Sequence, residues 1–163
     1  MYKVAFILNS TISKFDSRKK EIEHQFDKDS FEIKFFLSEC SRHIEKLTQN
    51  AISEGFKIII FCGGDGTLNE GINGVLASCA KAKKNELTSY HLESIKDIKI
   101  SILPFGSGND FAKTVNINTK ISDLKNKILS SKNSFIDIGF AKFLDKNKEE
   151  TSRFFINITD VGM

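Results

Sequence analysis

Lys57-Ile58-Ile59-Ile60-Phe61-Cys62-Gly63-Gly64-Asp65-Gly66-Thr67-Leu68-Asn69-Glu70 is the stretch that decides how this chain folds. Three consecutive isoleucines within residues 57–62 read as a strand buried on both faces, as a parallel sheet covered by helices requires. Residues 63–66 form a glycine-rich turn. From there Leu68, Ile72, Val75, Leu76 and Cys79 fall on one side of a helix over residues 68–79. Gly71 and Gly74 are expected to weaken that helix. A buried strand that runs through glycines into a helix is the repeating unit of an α/β fold.

The same alternation extends in both directions. Upstream, residues 3–8 crowd Val, Phe, Ile and Leu into a first strand, and a polar loop occupies residues 9–14. Asp16 can cap a helix that sets Ile22 and Phe26 on one face, and residues 31–37 read as a second strand. In residues 41–54, Ile44, Leu47 and Ala51 recur with helical spacing beside Ile52, and Gly55 sits where a left-handed cap ends a helix. Downstream, residues 81–97 turn polar and lysine-rich, which predicts a long surface excursion with Lys81, Lys83 and Lys84 on a solvated face. Residues 98–103 form a further strand, residues 104–108 a second glycine turn and residues 109–115 a helix. Ile121, Leu124 and Ile128 mark one more helix.

The expected fold is therefore α/β: a doubly wound, mostly parallel sheet with helices on both faces, in a domain of residues 1–134. The tail changes character. Residues 135–143 and 153–158 are rich in β-formers around the polar turn 145–150, so they predict an antiparallel β hairpin. Thr159-Asp160-Val161-Gly162-Met163 brings no polar tail, and residues 135–163 are read as the start of a second, truncated domain.

Composition narrows the class. With 163 residues, 40% hydrophobic and 28% charged, the chain can fill one core, which excludes a disordered or collagen-like polymer. The longest clean apolar run, residues 58–62, is strand-sized against the roughly 20 residues of a membrane span, and Met1-Tyr2-Lys3 leads straight into a strand. The chain is accordingly read as soluble and cytoplasmic. A net charge of +3 and a pI near 8.7 suit an anionic ligand or an acidic membrane surface without selecting either. Cys40, Cys62 and Cys79 lack metal or disulfide spacing and are read as free thiols. His24, His43 and His91 are scattered surface positions. Basic residues do not interleave with aromatics as nucleic-acid binding would need, and Phe6, Phe35, Phe36, Phe61 and Phe155 read as core.

The chemistry concentrates in the glycine turns. Gly63, Gly64 and Gly66 let the backbone approach a ligand, and the helix N-terminus behind them favours phosphate. Asp65 in such a cradle would repel phosphate, so it implies a divalent cation, held directly or through water. Thr67 can cap the helix or donate its hydroxyl to phosphate. The plainer alternative is a capped strand-to-helix turn. Leu103-Pro104-Phe105-Gly106-Ser107-Gly108-Asn109-Asp110-Phe111 repeats the construction, so two turns at one sheet edge can converge on one ligand. Asp110 by itself would be an ordinary first-turn acid. Asp137, in Ile136-Asp137-Ile138-Gly139, interrupts an apolar strand, where a carboxylate must be paired, metal-linked or turned to solvent. No P-loop, dinucleotide fingerprint or nucleophile elbow is present.

These residues resemble the catalytic domain of diacylglycerol kinases, in particular the soluble bacterial lipid kinases. The resemblance rests on Gly63 to Glu70 with Asn73-Gly74, on Pro104 to Ala112 and on residues 136–139, in that order, and it covers nearly the whole chain. It implies an N-terminal nucleotide-binding domain facing a C-terminal β-sandwich, with ATP and Mg²⁺ as cofactors. Nucleotide contacts are implied for Asn9, Ser38, Gly63, Gly64, Asp65, Gly66, Thr67, Leu68, Asn69, Glu70, Gly106, Ser107 and Gly108. Asp65, Asp110 and Asp137 fall where the family joins acids to Mg²⁺ through water. Ser107 replaces a common Thr, and Asn9-Ser10-Thr11-Ile12-Ser13-Lys14 replaces a more rigid Asn-Pro loop. The implied reaction transfers the ATP γ-phosphoryl to the hydroxyl of diacylglycerol or a related lipid at a membrane surface, with peripheral membrane association during turnover. The general base is expected beyond Met163, so this chain alone is expected to be inactive. Kinases of NAD or of sphingolipids, and a non-catalytic nucleotide-binding module, are the alternatives. Nucleic acid is not an expected partner, and homo-oligomerisation is left open.

Overall fold

The computed structural model describes residues 1–10, 15–40, 42–79, 95–117 and 120–156. Four strands, β1 (Tyr2–Leu8), β2 (Phe31–Leu37), β3 (Ile58–Gly63) and β4 (Lys99–Pro104), form one sheet in the order β2-β1-β3-β4. All three pairings are parallel, and β1 pairs Phe6 with Phe35 on one side and with Ile60 on the other. The sheet is wound on both faces. Ala5, Ile7, Ile59, Phe61 and Ile102 face α2 (His43–Ser53), α3 (Asp65–Cys79) and α4 (Asp110–Thr114). Val4, Phe6, Leu8, Ile60, Cys62 and Leu103 face α1 (Phe15–Gln25) and α5 (Ile121–Ser130), through Ile22, Ile121 and Leu124. Alternate strand residues thus serve two cores, which is why β1 and β3 carry almost no polar side chain.

Gly55 ends α2 in the left-handed conformation (φ 86°), as its position implied. Several expectations need correction. The helix after β3 begins at Asp65 rather than at residue 68, because the Gly64 carbonyl already accepts the first helical bond from the Leu68 N–H (3.2 Å). Gly71 and Gly74 are points of close approach rather than weak spots: a Cβ at Gly71 would strike the Phe61 ring, and one at Gly74 would strike the Glu45 carbonyl of α2. The hairpin, β5 (Gly139–Leu144) with β6 (Glu150–Phe155), starts four residues later than expected, so Asp137 precedes the strand instead of interrupting it.

Asp16 lies within the first turn of α1 rather than ahead of it. Of the aromatic residues expected in the core, Phe6, Phe36 and Phe61 are buried, while Phe35 and Phe155 are half-buried. The expected excursion falls mostly on residues 80–94, outside the described residues, as do Lys81, Lys83, Lys84, His91 and residues 157–163. No helix among the described residues is long and apolar enough to cross a membrane.

Candidate functional site: two glycine turns at the carboxyl edge

In the order β2-β1-β3-β4, the crossovers leave β1 in opposite directions, and the crevice of such a sheet opens at the carboxyl ends of β1 and β3. Every strand end there is tied to its neighbour. The Ser38 N–H donates to the Leu8 carbonyl (2.9 Å), the Asn9 N–H to the Cys62 carbonyl (3.2 Å) and the Phe105 N–H to the Gly63 carbonyl (2.9 Å). Asn9, Ser38 and both glycine turns are thereby gathered on one edge.

The two turns meet backbone to backbone. A Cβ added to Gly106 would lie 2.6 Å from the Gly64 Cα, so Gly106 has no room for a side chain, whereas one added to Gly64 would meet the Gly106 Cα at 3.4 Å. Asn109 shapes the second turn: its backbone is left-handed (φ 56°), its Oδ1 accepts from the Gly106 N–H (3.1 Å) and its Nδ2 donates to the Gly106 carbonyl (2.5 Å). Asparagine is among the few non-glycine residues suited to that conformation. In the sequence Asn109 stands out only as part of the second motif and as the start of a helix, without a role of its own.

Asp65 joins the turns. Its Oδ2 accepts from the Asp110 N–H (3.1 Å) and its Oδ1 from the Phe111 N–H (3.0 Å), so a carboxylate from α3 caps α4. The Asp65 and Asp110 carboxylates also flank Gly108, whose added Cβ would lie 3.5 and 3.6 Å from their Oδ2 atoms. Asp137 is exposed in the segment before β5. Among the described residues, no group of three or more His, Cys, Asp or Glu side chains stands ready as a metal cage. With both Asp65 oxygens on backbone N–H groups and Asp110 Oδ1 paired with Lys113 Nζ (3.2 Å), these carboxylates fit a hydrated Mg²⁺ better than a dehydrated one, since Mg²⁺ retains several waters.

Thr67 is buried, with its Oγ1 accepting from Asn9 Nδ2 (3.2 Å), and a Cβ on Gly63 would collide with it. Ser38 is also buried, and its Oγ accepts from the Ser10 N–H (3.0 Å). Gly66, Ser107 and Gly108 are exposed at the mouth, while Leu68 is in the core. Glu70 reaches the start of α2, where its Oε1 accepts from the Arg42 N–H (3.3 Å); its Oε2 is buried without a hydrogen-bond partner among the described residues. Asn73 bonds to the backbone of β6 at Phe154, and Asn69 to that of Ile156 just after it. The expected stretch is thus gathered around one turn, but several of its side chains hold other elements. Arg18 of α1 adds a cation that sequence reading missed, 4.9 Å from the centre of the Phe105 ring beside the second turn.

Cys62 is buried in the sheet, and desolvation raises its thiol pKa far above the ordinary value, while Cys40 is exposed. Neither is disulfide-bonded. His24 is exposed, and His43 Nδ1 accepts from the Glu39 N–H (3.1 Å).

This geometry agrees with the relationships of the chain. The diacylglycerol kinase catalytic domain family matches residues 3–141, and the chain belongs to that family. It is 27% identical over 158 residues to a diacylglycerol kinase of Staphylococcus carnosus (strain TM300), covering 96% of this chain and 44% of the relative. It is 25% identical over 165 residues to a diacylglycerol kinase of Staphylococcus aureus (strain MRSA252), covering 99% of this chain and 44% of the relative. The fold is similar to the crystal structure of a diacylglycerol kinase from Bacillus anthracis str. Sterne, with TM-score 0.61 and 20% identity over 99% of this chain and 49% of that one. The chain spans about half the length of these relatives.

Proposed function

We propose that this chain is the nucleotide-binding domain, residues 1–134 followed by the first hairpin of a second domain, of an ATP-dependent lipid kinase. The reaction would move the ATP γ-phosphoryl to the hydroxyl of diacylglycerol or a related lipid. The observation that carries this reading is the backbone contact of Gly64 with Gly106 at the crevice of the parallel sheet. One glycine turn before a helix is common; two in contact, with open mouths at Gly66 and Ser107, make a continuous bare-backbone floor for an anion. Diacylglycerol kinases among the relatives supply the acceptor class in this proposal.

Within the proposal, amides of residues 64–67 at the start of α3 bind phosphate, where no intrahelical carbonyl serves them. The Ser107 hydroxyl and the Gly108 amide take the other side of the nucleotide, while Gly106, whose N–H is held by Asn109, lets the backbone come close. Asn9 and Ser38 hold the β1 and β2 ends of the crevice in place. Asn69 and Glu70 contribute by fixing α3 against its neighbours. Asp65 and Asp110 would hold Mg²⁺ through water, with Asp137 as a third acid, and the cation would neutralise charge on the phosphates. Catalysis of this kind is mostly positioning and charge neutralisation. The general base and most of the lipid contacts are assigned to the part of the relatives that this chain does not span.

Calorimetric titration with ATP, with and without Mg²⁺, together with a lipid phosphorylation assay on the same sample, tests the proposal. Weak, Mg²⁺-dependent ATP binding without phosphoryl transfer is expected, because general-base catalysis typically contributes about 10²–10⁴-fold and orientation more. Sustained turnover by this chain alone would show that the base lies within it.

A further inference from the structure

Asn69 and Asn73 stand one helical turn apart on α3, and both side chains bond to backbone at the end of the hairpin. The Phe154 N–H donates to Asn73 Oδ1 (3.1 Å), and Asn73 Nδ2 donates to the Phe154 carbonyl (2.9 Å). One carboxamide therefore offers Phe154 the donor and acceptor that a residue of an adjacent strand would offer. It covers an edge of β6 that β5 does not reach, since Phe154 lies opposite Phe140 in the hairpin and uses these backbone groups outward. Asn73 Nδ2 also donates to the Asn69 carbonyl (2.8 Å), which fixes its rotamer, and the Ile156 N–H donates to Asn69 Oδ1 (3.2 Å). Arg153 Nη1 adds an ion pair to Glu45 Oε2 of α2 (2.8 Å).

These bonds act on the same helix that forms the glycine cradle. Asn73 is 9% exposed, so its hydrogen bonds are largely shielded from competing water. Gly71 and Gly74 seat the helix against Phe61 and Glu45, which leaves α3 little freedom to move alone. The helix that opens at the glycine cradle is therefore the one that holds β6.

We propose that Asn69 and Asn73 are positioning residues that fasten the hairpin to the phosphate helix, so that nucleotide bound at the start of α3 fixes the orientation of β6. The ligand in this proposal rests on the nucleotide reading above; the fastening does not. Amide hydrogen exchange on this chain, with and without MgATP, reads both parts. Asn73→Asp keeps an acceptor for the Phe154 N–H but removes the donor to its carbonyl, and should speed exchange at Phe154 by about fivefold, the factor that one ordinary hydrogen bond supplies. Protection of Ile59 to Phe61 in β3 should not change. MgATP should slow exchange at Phe154 and Ile156 in the unaltered chain and fail to do so in Asn73→Asp. If that variant does not fold, Asn69→Ala removes only the bond to Ile156 and should speed exchange there. Unchanged exchange at Phe154 in Asn73→Asp, or at Ile156 in Asn69→Ala, would overturn the fastening. Calorimetric MgATP binding with no effect on β6 exchange would overturn the coupling alone. Absence of MgATP binding would overturn the nucleotide reading and the coupling together, with the fastening still decided by the exchange rates.

Discussion

At the scale of single residues, the carboxyl edge is built from positions where one added or altered atom has a definite consequence. Gly106→Ala would place a methyl 2.6 Å from the Gly64 Cα, against backbone that cannot rotate away. The turns must part, so the variant should lose about 1–3 kcal/mol in urea denaturation, within the range for overpacked sites. It should also lose most of its MgATP affinity. Asp65→Asn tests a different property. Both Asp65 oxygens accept backbone N–H groups of α4, and a carboxamide presents a donor to one of them. A cap of this kind is worth about 0.5–2 kcal/mol, so stability should fall by that much while the fold persists. Circular dichroism with urea titration would detect it. An unchanged midpoint would mean that Asp65 does not cap α4.

The elements were legible in the sequence where burial sets the pattern, and illegible where function or close packing bends it. Phe31–Leu37 matches the expected strand because apolar crowding marks it directly. The start of α3 was misplaced because Asp65, Gly66 and Thr67 carry no apolar face, although they are helical. Gly71 and Gly74 were misread because propensity counts a glycine as a loss, whereas the gain lies on a neighbouring element the sequence does not show. Gly74→Ala separates the two effects: intrinsic propensity alone favours Ala by about 1 kcal/mol. Contact of the new methyl with the Glu45 carbonyl should outweigh that and leave the variant less stable by about 1–3 kcal/mol. A raised melting temperature would show that α2 and α3 can move apart freely. The candidate site was legible as a set of residues, because glycines and acids stand out. What each side chain holds was not, since Asn69, Asn73 and Glu70 find partners 28 to 87 positions away in the chain.

For the whole molecule, the parallel sheet gathers one functional edge, and the hairpin stands beside it with Phe140, Phe143 and Leu144 between 43% and 64% exposed. The central claim is that the turns after β3 and β4 form a single nucleotide site rather than two structural turns that happen to touch. Titration of isotope-labelled chain with MgATP, followed through the backbone amide resonances of Gly64, Gly66, Ser107 and Gly108, tests it most directly. Both turns should shift along one saturation curve with a common dissociation constant, and Gly55 at the opposite end of the sheet should stay still. Shifts confined to one turn, or two curves with different midpoints, would contradict a shared site.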